Sequence, residues 1–556
     1  MQLNGKIAST LLVSISLLLS GCGGSSGSGG GGGSTPPSIP TITSVAVGCS
    51  PASILTTQTS TCTATVQGTG SYSSAVTWAA SDGTIISSGV FTPANLGTAV
   101  ITATSSQDST KSGTSSISVV SSTTSGAWTW MNGSTSYEAV GVYGTEGVAA
   151  STNVPDGRGN AASWTDKSGN FWLFSGYAIG VGGTSLPNDL WEYNPSTNEW
   201  TFAGGKTDAC TQIGPTTCAY YWPGVYGTKG VAGTNNLPGG RYGSVSWTDS
   251  SGNFWLFGGD GFDANGNIGE VGELNDLWQF NPTTNAWTWV SGSSTINASG
   301  VYGTMGTPST SNTPGARDGS VSWIDSSGNL WLFGGAGYDS TGTNGGLNDL
   351  WEFSPTAKTW TWVGGSNTGW ASGVYASGVY GTLGVAAPNN VPGARSGAVS
   401  WIDKNGNLWL LGGTSIVSTG AVYLNDLWEY NPASGEWAWM NGSNTANATA
   451  VYGTPGVASS STTPGAETQQ TATPSWSDPS GDFWLFDGNL WKFSPTTDQW
   501  TWVSESGTAI VYGTKGTATA SNWPGERSGA ASWTDSSGNF WLFGSSYRND
   551  LWRYQP

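Results

Sequence analysis

The side chains that could do chemistry in this chain are mainly carboxylates, because the 556-residue sequence contains no histidine. Without an imidazole, Ser-His-Asp and Cys-His catalysis and imidazole-based metal sites are excluded. Two acids at a suitable separation would suffice for glycoside hydrolysis. The acids that recur most regularly begin tight turns that contain glycine, where Asp is a common turn residue, so we assign them to structure. They are Asp166, Asp249, Asp325, Asp403, Asp478 and Asp535.

One loop has oxygen-bearing side chains at a spacing similar to that of Ca²⁺ ligands. It contains Asp260, Asp263, Asn265 and Asn267, but it does not follow the EF-hand pattern. We expect neither a metal nor another cofactor, and calcium at this loop is the alternative.

Four of the cysteines form two local pairs, Cys49 with Cys62 and Cys210 with Cys218. Such pairs are typical of disulfides in an oxidising compartment. A zinc site is the rival interpretation, and thiols in distant segments without histidine disfavour it.

An aromatic run, Tyr220, Tyr221 and Trp222, directly follows the second pair. Three aromatic side chains beside a short closed loop could stack a sugar ring or anchor a partner protein. They could equally pack over the fold. We name them as candidate binding residues and as the first place to test.

The elements that must position these residues come from a motif that occurs six times. Ser-Trp-(Thr/Ile/Ser)-Asp, a turn containing Gly, and (Phe/Leu)-Trp-Leu recur around Trp164, Trp247, Trp323, Trp401, Trp476 and Trp533. Self-similarity of this kind indicates one module used repeatedly. Each unit predicts four strands, a to d, which in the second unit are 243–247, 254–257, 277–280 and 287–289.

The Gly258-Gly259 doublet, the Asn275-Asp276-Leu277-Trp278 stretch and the later Trp resemble kelch repeats, which form β-propeller blades. The resemblance covers 126–556 and implies an all-β, six-bladed kelch-like propeller. The last unit lacks strand d, and an orphan strand d stands at Trp128-Thr129-Trp130, so we expect the two ends to complete one blade. Galactose oxidase has a similar propeller, but its copper needs two histidines, so that chemistry does not carry over.

An Arg precedes strand a and an Asp precedes strand c in five of the six units. Both are absent from the fifth unit, where the position of the Arg looks like Glu467. This joint loss predicts a structural bidentate bridge in each of the other blades. The pairs are Arg158 with Asp189, Arg241 with Asp276, Arg317 with Asp349, Arg395 with Asp426 and Arg527 with Asp550.

Because strands alternate in direction, the a–b and c–d turns share one face, the turn face, and the b–c and d–a connections share the other, the loop face. Long b–c connections are expected in the first four blades, at 177–187, 260–274, 336–347 and 414–424. Each d–a connection carries Val-Tyr-Gly-Thr, which we interpret as a structural clasp because its copies are nearly identical. Ligand recognition is expected on the loop face, where the blades differ.

Two further segments precede the propeller. Residues 41–121 contain short alternating strands, and 75–83, 89–93 and 97–104 resemble bacterial immunoglobulin-like domains of the Big2 type. That resemblance implies a small β-sandwich with Trp78 in its core and Cys49–Cys62 linking its first strands. We interpret this domain as a spacer.

Residues 1–21 have a basic start and a short apolar run, which is typical of an export signal. The following Cys22 completes a sequence that resembles a bacterial lipobox, which implies a lipid-anchored envelope protein, at the outer membrane if the cell is Gram-negative. Residues 22–40 are a Gly/Ser/Pro tether.

Charge limits the partners. A net charge of −18 repels nucleic acid and anionic membranes, so membrane contact is expected only through the lipid. We expect a monomer that binds protein or carbohydrate without catalysis. The alternatives are a carboxylate-based glycan hydrolase or lyase on the same face and a purely structural envelope protein.

Overall fold

The computed structural model describes residues 39–55, 59–95, 97–120, 126–180, 183–206, 211–212, 218–219, 222–265, 270–371, 378–417, 420–466, 473–504, 509–545 and 547–556. All regular elements in these ranges are β-strands. Within the same ranges, no helix is long and apolar enough to cross a bilayer.

The first part of the chain folds into two four-stranded sheets. The order in one sheet is Thr41–Ser50, Ser60–Thr69, Val90–Thr92 and Thr84–Ile85, and in the other Ser53–Leu55, Ser112–Val120, Gly97–Ser105 and Val76–Ala80. Phe91 from the first sheet and Ile101 and Ile117 from the second share one buried core, with Trp78 half-buried against it. The Cys49–Cys62 disulfide joins the first two strands of the first sheet.

The rest of the chain forms six antiparallel blades, each with strands a to d. The a strands are Ala162–Thr165, Val245–Thr248, Val321–Ile324, Val399–Ile402, Ser475–Ser477 and Ala531–Thr534. The b strands are Phe171–Phe174, Phe254–Gly261, Leu330–Tyr338, Leu408–Val417, Phe483–Phe486 and Phe540–Ser545. The c strands are Leu190–Asn194, Gly272–Asn281, Asn344–Ser354, Gly420–Asn431, Leu490–Ser494 and Arg548–Gln555. The d strands are Glu199–Gly204, Ala286–Ser291, Thr359–Gly364, Glu436–Asn441, Gln499–Ser504 and, for blade 6, Ala127–Asn132.

The blades close into a ring. Each a strand contacts the a strand of the next blade, and the sixth contacts the first. The strand Ala127–Asn132 pairs antiparallel with Arg548–Gln555, so residues from both ends of the propeller complete blade 6. The six-bladed propeller and its closure are therefore confirmed. The a strands surround a central channel of about 420 Å³ that is lined by Ser and Thr side chains.

Aromatic contacts fill the space between adjacent blades. In blades 1, 4, 5 and 6 the Trp of strand a stacks on a Phe of the next blade's strand b, as Trp164 does on Phe254 with ring centroids 5.3 Å apart and Trp401 on Phe483 at 5.1 Å. The first Trp of strand d is buried in every blade. In blades 2 to 6 the second is half-buried and has a clasp tyrosine against it, as Trp289 has Tyr226, whereas blade 1 carries the buried Phe202 at this position.

The d–a connections cover the outer edge of every blade. Each clasp runs beside strand d of the blade that it precedes, with bridges such as Gly233 to Trp287 and Ser309 to Trp360. In five of these clasps a buried Asn amide donates to a strand d carbonyl, as Asn236 does to Trp287 O at 3.1 Å. Because these contacts occupy backbone groups of the edge strand, the clasps protect it from pairing with another chain.

We expected the b–c connections of blades 2 to 4 to be long loops, but the structure shows paired strands there. Strands b and c continue their antiparallel pairing beyond a bulge, so that 254–261 with 272–281 and 408–417 with 420–431 form long hairpins. In blade 1 the strand breaks, and Tyr177–Gly180 pairs with Arg158–Gly159 and Gly183–Ser185 in a separate small sheet. Additional short strands are Thr211–Gln212, Cys218–Ala219, Arg241–Tyr242, Arg317–Asp318, Trp370–Ala371 and Ala458–Ser459.

Candidate functional site

Each arginine expected to form a bridge lies beside its aspartate. Nη1 and Nη2 of Arg241 donate to Oδ1 and Oδ2 of Asp276 at 2.6 and 2.8 Å. Its remaining donors reach the carbonyl oxygens of Gly239 and Gly258 at 2.9 and 3.1 Å. The same bidentate geometry holds for Arg158 with Asp189, Arg317 with Asp349, Arg395 with Asp426 and Arg527 with Asp550. All of these side chains are at most 1% exposed.

The aspartate of each bridge also accepts hydrogen bonds from an indole and from the clasp tyrosine. Asp276 Oδ2 accepts from Trp278 Nε1 at 2.7 Å and from the Tyr226 hydroxyl at 2.6 Å. Burial, together with the charge of Asp276, raises the pKa of Tyr226 well above its ordinary value, so its hydroxyl stays a donor. These buried clusters therefore fasten the clasp to the blade and leave no group for a ligand.

Blade 5 satisfies its indole differently. Trp491 Nε1 donates to Asp487 Oδ2 at 3.0 Å, and Asp487 lies two residues before the position that Asp occupies in the other blades. Asn489 occupies that position, and its amide donates to the Tyr452 hydroxyl at 3.5 Å. Tyr452 is 50% exposed, whereas Tyr226 is 6% exposed. Glu467 lies outside the described residues.

The aromatic run proposed for binding is only partly described. Trp222 is 1% exposed and packs against Leu186 and Phe262, so it belongs to the core and cannot face a ligand as expected. Tyr220, Tyr221 and Cys210 lie outside the described residues, as does the lipidation residue Cys22. Cys218 is described only through its backbone, in the short strand Cys218–Ala219.

In the loop considered for calcium, Asp263 and Asp260 accept hydrogen bonds from protein groups. Asp263 accepts from the Asn265 backbone and side-chain amides at 2.8 and 3.1 Å and from Ile296 N at 3.3 Å. Asp260 accepts instead from the Tyr242 hydroxyl. Asn267 lies outside the described residues. Among the described residues, no group of three His, Cys, Asp or Glu side chains could hold a metal ion.

A row of four tyrosines crosses the loop face from blade 6 to blade 2. Tyr137, which is 57% exposed, lies with its ring centroid 5.3 Å from that of Tyr547, and the Arg548 guanidinium lies 5.5 Å from the Tyr137 centroid. Electrostatic interaction with Tyr177 raises the pKa of Tyr547. Tyr177 and Tyr242 are 6.0 Å apart. We call Tyr137, Tyr547, Tyr177 and Tyr242 the tyrosine row.

Three acids lie at the blade 2 end of this row. Tyr242 donates to Asp260 Oδ2 at 3.1 Å, and burial raises the pKa of Asp260. Burial and then the charges of Asp318 and Asp260 raise the pKa of Glu273, while burial and Asp260 raise that of Asp318. Asp260 Oδ1 and Glu273 Oε2 are buried without a hydrogen bond to any described residue. We call Asp260, Glu273 and Asp318 the acid cluster.

A cavity of about 220 Å³ opens beside the row at the mouth of the channel. Tyr242, Ser244, Asp318, Ser320 and Ser396 contribute to its lining, so one acid of the cluster reaches it.

A belt of backbone hydrogen bonds runs beneath this cavity. Gly243 N donates to Asn160 O and Gly319 N to Gly243 O, both at 3.0 Å. Gly243 has a φ of 66° and Gly319 one of 61°, a conformation that suits glycine. The lining of the cavity therefore includes this hydrogen-bonded backbone belt as well as Tyr242.

The sequence did not predict the tyrosine row or the acid cluster. Tyr137 and Tyr547 lie at opposite ends of the propeller sequence, and only the closure of blade 6 brings them together. A partial signal did exist, since Arg548 stands where blades 2, 3 and 4 carry Leu, although blade 4 also has a Tyr, Tyr423, at the position of Tyr547.

Comparisons with known proteins found similarity only to solved structures of low sequence identity. No family model matches the chain, and no curated protein matches it. A solved structure titled "Structure of YjhT" has 14% sequence identity and a TM-score of 0.38, covering 72% of this chain and 94% of that chain. A fungal alcohol oxidase of the AA5 family in complex with copper has 12% identity and a TM-score of 0.39, covering 75% of this chain and 77% of that one. Since this chain has no histidine, we assign it no copper site.

Proposed function

We propose that this protein is a lipid-anchored envelope protein that recognises a carbohydrate, without catalysis, along the tyrosine row. The observation that carries the proposal is the row itself, four tyrosines that end at a cavity lined by hydroxyls and one carboxylate. Tyrosine rings offer a flat apolar surface with a polar edge, which suits the faces and hydroxyls of sugars. Arg548 adds a cation at the blade 6 end.

Several features support recognition by the loop face rather than by the rest of the surface. The tyrosine row occurs once, whereas the buried Arg–Asp bridges and clasps repeat around the ring. The Big2-like segment and the tether proposed from the sequence would hold the propeller away from the membrane. The net charge of −18 disfavours a polyanionic partner, so a neutral or weakly charged glycan is expected.

The second candidate function is glycan hydrolysis, and the acid cluster is the observation that favours it. A carboxyl with a raised pKa beside an ionised one is the arrangement that supplies a general acid and a base. In this molecule only Asp318 of the cluster lines the cavity, and Glu273 and Asp260 do not. Non-catalytic recognition therefore fits the geometry better.

The test is a glycan-array screen with the labelled full chain, followed by calorimetry on any hit. Tyr137→Ala and Tyr177→Ala remove rings from the row. Tyr452→Ala is the matched control, because this half-exposed tyrosine lies in blade 5, outside the row. We expect a glycan whose affinity falls about tenfold in each row variant, the loss of one aromatic contact, and is unchanged in the control.

Two results would decide against the proposal. Binding that survives both row substitutions would place the glycan elsewhere on the protein. Cleavage of a bound glycan that stops in Asp318→Asn would establish the hydrolase instead.

A further inference from the structure

The turn face has its own repeated contact between strand c and the a–b turn. In blades 1, 3 and 4 a Glu of strand c accepts a hydrogen bond from the Asn that ends the turn. The bonds are Asn170 Nδ2 to Glu192 Oε1 at 2.7 Å, Asn329 to Glu352 at 2.7 Å and Asn407 to Glu429 at 2.5 Å. Each Glu lies opposite a Trp of strand b, as Glu192 does opposite Trp172.

Blade 6 reverses the charge at this position. Arg553 occupies the same register, opposite Trp541, and its guanidinium lies 5.8 Å from the centroid of that ring. Asn539 keeps its bond to Asp535 at 2.8 Å but has no Glu to bind, so its second amide N–H lacks that acceptor. A carboxylate acceptor has thus been exchanged for a cation beside an amide donor.

Arg553 has no ion pair with the described residues. The equivalent cation of blade 5 differs, because Lys492 lies 2.6 Å from Asp482. Burial lowers the pKa of Arg553, although Asp535 opposes the shift. A partly desolvated guanidinium without a carboxylate partner is costly, and an anion would relieve that cost.

Arg553 lines a groove of about 520 Å³ between blades 6 and 1. The size falls within the range of small-molecule sites. Ser168, Asn170, Ser196 and Asn539 also line it, which gives it hydroxyl and amide groups. Gln555 also lines the groove.

We propose that this groove binds a sugar acid, with its single carboxylate held by Arg553 and Asn539. The ligand carboxylate takes the place that the Glu carboxylate has in blades 1, 3 and 4. The sugar hydroxyls meet the serines and Asn170. A single charge fits better than a polyanion, because the protein carries a net charge of −18. This site lies on the turn face and does not depend on the tyrosine row.

The experiment is calorimetric titration of the full chain with D-galacturonate, D-galactose and acetate. We expect galacturonate to bind with a Kd in the range of about 1 mM or tighter, and galactose and acetate to bind at least about tenfold more weakly. Arg553→Gln should weaken galacturonate binding about tenfold or more, because a charge-assisted contact is lost. Lys167→Gln, in the neighbouring groove, is the matched cation control and should bind normally.

Arg553→Glu guards against a folding artefact. It rebuilds in blade 6 the Glu–Asn contact of blades 1, 3 and 4, so we expect a melting temperature at least equal to that of the parent and no galacturonate binding. The proposal is overturned if galacturonate does not bind, if its affinity is unchanged in Arg553→Gln, or if acetate binds as tightly as galacturonate.

Discussion

Glu273 and Asp276 lie on the same strand of blade 2, three residues apart, and their carboxylates occupy opposite environments. Asp276 is fully buried and accepts from Arg241, Trp278 and Tyr226. Glu273 has other acids as its neighbours, and its Oε2 is buried without a donor from the described residues. The first arrangement recurs around the ring and holds the fold, whereas the second occurs once and beside the loop-face cavity. Carboxylates that interrupt the repeat are therefore the ones to examine for function.

The largest effect is expected from breaking an Arg–Asp bridge. Asp276→Ala leaves the Arg241 guanidinium buried without its carboxylate and should lower the free energy of unfolding by about 4 kcal/mol. Urea denaturation followed by tryptophan fluorescence measures the change.

Asp487→Ala in blade 5 is the matched comparison for that bridge. It removes the acceptor of an indole N–H, so we expect a loss of only about 1–2 kcal/mol. Equal losses in the two variants would contradict the view that the buried cation dominates the bridge.

A substitution in the acid cluster is expected to raise the free energy of unfolding, by less than the loss of a bridge lowers it. Asp318, Asp260, Tyr242 and Arg317 face Glu273, and its pKa is raised in the folded state. Over the range between its unfolded and folded pKa values the folded protein binds the extra proton, so stability falls as pH rises from about 5 towards 9. Glu273→Gln cannot ionise and should be more stable than the parent by about 2 kcal/mol at pH 8.

Melting curves at pH 5 and pH 8 test this prediction, and the difference between the two proteins should shrink at pH 5. Glu192→Gln is the control, because Glu192 is also partly buried but accepts a bond from Asn170. If Glu192→Gln gains as much stability at pH 8, the gain of Glu273→Gln does not depend on its place in the acid cluster.

The smallest expected effect separates the clasp tyrosines. Tyr226→Phe removes a buried hydroxyl that donates to Asp276 and should cost about 1.5 kcal/mol. Tyr452→Phe in blade 5 changes a half-exposed hydroxyl and should cost less than about 0.5 kcal/mol. Chemical denaturation of the two variants measures the free energy of unfolding. A larger loss of stability in Tyr452→Phe than in Tyr226→Phe would contradict this prediction.

The features that repeat in every blade could be predicted from the sequence, whereas the contacts that form only when the ring closes could not. Six copies of one motif expose the blades, the missing strand and the residue types of the bridges. Tyr137 and Tyr547, by contrast, carry no shared local pattern and meet only in three dimensions. Trp222 illustrates the opposite error, because an aromatic run beside cysteines looks exposed in sequence while its last ring fills the core. The paired hairpins of blades 2 to 4 were also not evident, since their Gly-rich strands resemble loops.

The completion of blade 6 by Ala127–Asn132 also sets the order of events when the chain folds. Ser134 and Asn549, which are hydrogen-bonded at this seam, are 415 residues apart in sequence. During synthesis Ala127–Asn132 therefore has no partner strand until the last blade emerges. The entropy cost of closing so long a loop must be met before the contacts at the seam can form. Until then an aromatic edge strand can pair with a wrong partner, so the closure of blade 6 is the step at which a chaperone would matter most.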